Sequence, residues 1–175
     1  MKNILIFLTF SLILFGCNQK NEIKTLDLKT KSLHKKKISK VLKNWHQAAS
    51  KADFNSYFDK MDDNSIFIGT DASENWNKKQ FEAFSKPYFD KGKAWSFTTL
   101  ERNIFINNTG DFAWFDELLN TQMGTCRGSG VLENINNSWK IKHYVLSVSI
   151  PNEDIEAVIS AKKKNDSIFL KRFQK

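Results

Sequence analysis

Beyond Gly92 the apolar residues fall on every second position through four runs, near residues 94–106, 111–122, 126–135 and 139–149. A period of two marks strands with one face turned to a core. The runs are separated by Asn107-Asn108-Thr109-Gly110, Gly124-Thr125 and Asn136-Asn137, residue types that accept the backbone of tight hairpin connections. This pattern predicts a four-strand antiparallel meander. Before Gly92 the rhythm is different. Ile38, Val41, Leu42, Trp45, Ala48, Ala49 and Ala52 follow helical spacing, Asp53 is placed to cap a shorter helix carrying Phe54, Tyr57, Phe58 and Met61, and Ser65–Gly69 reads as a short strand. After a polar loop over Thr70–Trp76, Asn77 and Gln80 form a capping-box pair. They open a helix whose buried face is Phe81, Phe84, Ser85 and Tyr88, with Pro87 expected to bend or end it. The fold class is α+β, with helices on one side of a sheet. With 15 Phe and 5 Trp in 175 residues, the chain carries far more buriable surface than a disordered segment, enough for one ordinary domain.

The alternation also predicts which face is covered. If the two later hairpins turn on two residues, Met123 faces Cys126 and Ile135 faces Ser138. Leu119 then lies beside Gly130, which lies beside His143, and Glu117 is in the neighbouring row. The face holding Ala113, Phe115, Glu117, Gly128, Gly130, Trp139, Ile141, His143 and Val145 is mostly apolar and is assigned to the interior. The opposite face holds Asp116, Arg127, Glu133 and Lys140, interleaved with Leu118, Val131, Tyr144, Leu146 and Val148. Gly128 and Gly130 place no side chain beside His143. They either leave a hollow bordered by an imidazole and a carboxylate or let a helix approach closely. In a hollow, Glu117 and His143 form an acid and base pair, because burial raises a carboxyl pKa and imidazole titrates near neutrality. The apolar patch on the outer face is either a dimer surface or a seat for the C-terminal helix through Ile155, Val158 and Ile159.

The formal charge of +8 sits on the flanks. Residues 18–43 hold nine lysines against Glu22 and Asp27, a local +7. Residues 162–175 carry +5, and the stretch 44–161 between them is near −5. A nucleic-acid groove needs its basic groups on the folded surface, so that class of partner is excluded. The N-terminus fits an export signal, with Lys2 followed by a short apolar run over Ile4–Phe15. Leu14-Phe15-Gly16-Cys17 resembles the lipobox of bacterial lipoproteins, which implies lipidation of Cys17. A plain secretory signal is the alternative. The expected organisation is a signal over 1–17, a flexible basic tether over 18–35, a domain over 36–152, and a C-terminal helix with a basic tail over 153–175. The domain is then placed in the cell envelope, outside the cytoplasm. Basic flanks beside a lipid anchor suit an anionic membrane surface or a solvated linker. Cys126, left without a partner after processing, reads as a small buried residue.

Several segments together resemble a known family. These are Trp45-His46-Gln47-Ala48-Ala49, Asp53, Tyr57-Phe58, Ile66-Phe67-Ile68-Gly69-Thr70-Asp71 with Glu74 and Trp76, Trp114-Phe115-Asp116-Glu117, Gly128-Ser129-Gly130-Val131-Leu132, and Trp139-Lys140-Ile141 to His143. They are similar to the SnoaL-like branch of the nuclear transport factor 2-like superfamily over about residues 36–152. The resemblance implies a cone-shaped, curved antiparallel sheet wrapped around N-terminal helices, with a pocket at the wide end and frequent dimerisation through the sheet. Its members include isomerases, dehydratases, cyclases and catalytically silent binding or assembly domains, so fold alone does not choose among them. Residue by residue, Asp71, Glu74 and Trp76 match the motif after the first strand, Glu117 the central carboxylate, and His143 the polar position of the last strand.

Three function classes follow. The first is a membrane-anchored protein binding a small, largely apolar ligand between walls of Trp45, Phe67, Trp76, Phe115 and Trp139, with Glu74, Gly128 and Gly130 at the pocket. The second is an isomerase, dehydratase or hydrolase using His143, Glu117 and Asp71. The third is a dimeric assembly module. Histidines 34, 46 and 143 lack metal-ligand spacing, and no phosphate loop, dinucleotide fingerprint or nucleophile elbow occurs, so neither metal nor cofactor is expected.

Overall fold

A computed structural model of the protein describes residues 25–174. The expected signal, Cys17 and the first part of the tether lie outside the described residues. The chain folds as α1 (Leu28–Ser50), α2 (Phe54–Asp59), β1 (Met61–Ile68), β2 (Asn75–Asn77), α3 (Lys78–Asp90), β3 (Phe97–Ile106), β4 (Phe112–Thr121), β5 (Gly124–Ile135), β6 (Ser138–Val148) and α4 (Ile155–Leu170), with 3-10 turns on either side of α4. No described helix is long and apolar enough to cross a membrane.

The predicted meander is present as β3 to β6, but the sheet is larger and mixed. Its order is β2-β1-β6-β5-β4-β3, with β1 running parallel to β6. The expected wholly antiparallel sheet is thereby corrected: the chain crosses from β1 through β2 and α3 to the far edge before returning. The edges β2 and β3 do not pair, so the curved sheet stays open. Helices α1 and α3 pack on one face, and Ile38, Leu42, Trp45, Ala48 and Ala49 bury the stripe that their spacing predicted. The capping box of Asn77 and Gln80 forms as expected. Helix α3 runs through Pro87 to Asp90 because Phe89, beyond the proline, is anchored against Tyr57 and Trp95 at 5.4 Å from each.

Residues 28–35, expected as tether, are the first turns of α1. Asp27 caps them by accepting the Thr30 N–H at 2.8 Å, and Leu26 N–H donates to the Asn108 carbonyl at 2.8 Å. The Trp139 indole donates to His34 Nδ1 at 3.1 Å, so these turns are fastened to the sheet from two sides. At the other end α4 buries no residue. Ile155 and Ile159 remain 37% and 53% exposed, so this helix does not cover the outer sheet face.

Strand register decides the interior. The β4–β5 turn is Gln122-Met123, with Thr121 opposite Gly124, two residues earlier in β4 and two in β5 than the Met123–Cys126 pairing expected. This even shift exchanges partners but not faces. Glu117 therefore lies beside Gly128 and Phe115 beside Gly130, all turned inward. The β5–β6 hairpin has the expected Ile135–Ser138 pairing, with Asn136 and Asn137 at φ of 50° and 66°. Between Leu132–Ile141 and Val131–His143, however, one extra residue is inserted in β6. Past this bulge the alternation reverses: Tyr144 and Leu146 point inward, and His143 and Val145 turn outward.

Candidate functional site

Glu117 is the one fully buried carboxylate among the described residues, and its three partners come from three other elements. Its Oε1 accepts from His46 Nε2 on α1 at 2.8 Å and from the Tyr144 hydroxyl on β6 at 3.0 Å. Its Oε2 accepts from Arg102 Nε and Nη2 on β3 at 2.9 and 2.5 Å. Burial alone would raise the Glu117 carboxyl. The hydrogen bonds and charges of His46 and Arg102 outweigh it and hold the group below the ordinary carboxylate range. Burial first, and then the charge of Glu117, push the Tyr144 phenol well above its usual value, so it stays protonated and donates. With Glu117 ionised, the His46 Nε2 hydrogen is the donor of that bond.

The expected hollow is filled. A Cβ at Gly128 would sit 2.2 Å from the Tyr144 hydroxyl oxygen, and one at Gly130 would sit 2.8 Å from the Phe115 ring. The glycines exist for close approach, but not by a helix: Tyr144 enters over Gly128 to reach Glu117, and at Gly130 the His143 carbonyl of β6, 2.4 Å from where a Cβ would be, comes closer still than the Phe115 ring. The bulge turns His143 to the outer face, so it does not join Glu117 as an acid and base pair. The carboxylate's two oxygens carry four hydrogen bonds, and the arrangement works chemically as a clamp between α1 and the sheet. On its outer side, His46 and Arg102 border a polar surface groove shared with Ser39, Lys43 and Thr98.

Open space lies elsewhere. A cleft of about 250 Å³ opens between α3, the end of β1 with its following loop, and the β4–β5 turn. One wall is a set of nearly parallel rings. Phe67 stacks on Phe81 at 3.9 Å, Trp76 on Phe81 at 5.5 Å and on Phe84 at 4.4 Å, with interplanar angles of 17°, 14° and 26°. Tyr88, Trp95, Phe97, Met123 and Leu146 complete the apolar lining, and Thr70, Glu74 and Gln122 supply its polar groups. The capping box sets the direction of α3, and the Phe67–Trp76 pairing of β1 with β2 holds Trp76 over Phe81.

Of the residues expected at the pocket, Phe67, Glu74 and Trp76 line this cleft. Trp45, Phe115, Gly128, Gly130 and Trp139 do not: the three aromatics are 1%, 3% and 4% exposed and pack in the core. Asp71 stands on the exposed loop between β1 and β2. The side chain and backbone N–H of Ser73 lower its pKa, and it lies outside the cleft. The sequence reading missed the parts played by His46, Arg102, Trp95, Gln122 and Met123. His46 was within reach, because four residues after Leu42 and three before Ala49 it falls on the buried stripe of α1. Phe84 and Tyr88 were expected to be covered. They are 39% and 48% exposed at the cleft mouth, while Ser85 and Phe89 take the inner positions.

Cys126 is buried, as its expected role requires, with its sulfur 3.4 Å from the Thr121 hydroxyl.

Comparison with known proteins places the fold. A search of curated proteins finds no match. Among solved structures, an NTF2-like protein of unknown function from Pseudomonas putida KT2440 superposes with a TM-score of 0.59 at 14% identity, covering 70% of this chain and 91% of that one. A putative scytalone dehydratase from Novosphingobium aromaticivorans gives 0.60 at 7% identity, covering 70% and 88%. The association domain of C. elegans CaMKII gives 0.57 at 21% identity, covering 69% and 99%. At these identities the likeness shows the fold alone. Residues 38–151 match the sequence family described as the SnoaL-like domain. On that match and this α+β architecture, the chain belongs to the SnoaL-like domain family, within the NTF2-like fold.

Proposed function

We propose that this protein binds a small, largely apolar ligand in the cleft between α3 and the end of β1, and that lipidated Cys17 tethers it to a membrane of the cell envelope. The observation that carries the binding reading is the bank of parallel rings, Phe67, Phe81, Trp76 and Phe84, with about 250 Å³ of open space beside it. Rings packed to this extent normally belong to a closed core. Here Phe84 and Tyr88 stand open to the cleft mouth, as in sites that receive an apolar guest. The tether reading rests on the apolar run ahead of Leu14-Phe15-Gly16-Cys17 and on the basic residues that follow it. A binding role is favoured over acid and base chemistry by Glu117 and His143, since all of the carboxylate's partners are protein groups and the imidazole faces the other side of the sheet.

The cleft reading is tested with N-phenyl-1-naphthylamine, a neutral dye that brightens in apolar surroundings. The full chain should enhance its fluorescence saturably, and Trp76→Ala should weaken the affinity at least about tenfold, because one face of the slot is removed. Equal binding by both proteins, or no saturable signal, would refute the reading. A second reading, self-association through the outer sheet face, is favoured by Phe105 and Trp114. These two stack there at 5.8 Å and are 44% and 50% exposed. The C. elegans neighbour is itself an association domain.

A further inference from the structure

We propose that the ligand of this cleft carries a cationic amine, held between the Glu74 carboxylate and the faces of the aromatic wall; the inference rests on the reading of the cleft as a ligand site. Glu74 is the only charged side chain lining the cleft among the described residues. It is built into the wall rather than left loose. A Cβ at position 69 would lie 2.1 Å from Glu74 Oε2, so the carboxylate folds over the bare backbone of Gly69. Asp71 N–H donates to the same oxygen at 3.1 Å. The loop closes around it through Gly69 N–H to the Glu74 carbonyl at 3.0 Å and Glu74 N–H to the Asp71 carbonyl at 2.9 Å. Oxygen Oε2 is thereby engaged, while Oε1 has no hydrogen-bond partner and Glu74 no ion pair among the described residues.

The rest of the lining carries the same electrostatic sign. The faces of Trp76, Phe84 and the neighbouring rings are the negative side of their quadrupoles and attract a cation. Thr70 and Gln122 are neutral and provide no counter-charge. Lys162 and Arg172 of the basic C-terminal segment border a neighbouring groove that Glu74 also lines, but neither enters the cleft or pairs with Glu74. A carboxylate-bearing guest would meet a fixed negative charge and negative ring faces in a partly desolvated slot. A neutral guest would gain stacking alone. The geometry therefore selects a planar apolar body with an ammonium group on a short arm.

Three probes of one shape test this: 2-naphthylmethylammonium, 2-naphthylmethanol and 2-naphthoate, titrated into the full chain by calorimetry. The ammonium should bind about tenfold more tightly than the alcohol, and the alcohol more tightly than the carboxylate. Glu74→Gln, whose amide oxygen still accepts from Asp71 N–H, should bring the ammonium to within about twofold of the alcohol and leave the alcohol unchanged. If the alcohol binds as tightly as the ammonium, or the ammonium is indifferent to Glu74→Gln, the charge assignment is overturned while the ligand site stands. If none of the three probes binds, both fall. Should the variant weaken the alcohol as well, the wild-type ratio decides. An ammonium preference that shrinks as salt is raised from about 0.05 to 0.5 M supports the assignment, and a ratio insensitive to salt overturns it.

Discussion

Replacing Glu117 by Gln changes little in shape and removes the charge on which the buried cluster depends. Each carboxylate oxygen now receives two donors, from His46 and Tyr144 on one side and from Arg102 on the other. An amide can keep its oxygen toward Arg102 only by turning its NH2 toward His46 and Tyr144. Arg102, whose side chain is 8% exposed, would then keep a buried charge without its counter-ion. Removing one partner from a buried pair costs about 3–5 kcal/mol. At roughly 2–4 °C per kcal/mol for a chain of this length, thermal unfolding should fall by roughly 6–20 °C at neutral pH. The pH dependence gives an independent check. The folded-state pKa of Glu117 is depressed below 4.5, so its contribution is complete above that value and is lost as pH falls through the lower folded value. The stability gap between the wild-type chain and Glu117→Gln should therefore be widest above about pH 5 and narrow in more acidic solution. Circular dichroism melts across this range measure both effects. A variant melting within about 2 °C of wild type at neutral pH would refute the clamp, and a gap that widens on acidification would refute the direction of the shift.

Gly128→Ala should destabilise by about 1–3 kcal/mol, read from urea unfolding, because the added methyl lies 2.2 Å from the Tyr144 hydroxyl and must push that ring away from Glu117; an unchanged midpoint would mean the ring has other room. Trp114→Lys should lower the oligomeric mass measured by light scattering if the outer face joins two copies, with little effect on stability at a half-exposed position. An unchanged mass removes the association reading.

The parts of the fold legible in the order of residues follow from local rules. The heptad-like stripe of α1, the cap at Asn77, the alternation of the last four strands and the Asn136-Asn137 turn each depend on neighbours a few residues away. They stand in the structure where the pattern put them, the alternation of β6 only as far as Ile141. The burial of Glu117 beside a glycine strand was legible for the same reason, since an even shift at the Gln122-Met123 turn leaves faces intact. Three matters belonged to the tertiary structure. The bulge after Ile141 inserts one residue into β6, and nothing local in Lys142-His143-Tyr144 says which residue is the extra one. That choice follows from packing, where Tyr144 fills the space over Gly128 and the Lys142 ammonium reaches Asp62 at 2.7 Å. The parallel pairing of β1 with β6 joins segments nearly eighty residues apart, beyond the reach of any periodicity. The cleft arises where α3, β1 and the β4–β5 turn meet imperfectly, and an unfilled volume between elements depends on their docking angles, which the order of residues along one strand or helix does not encode.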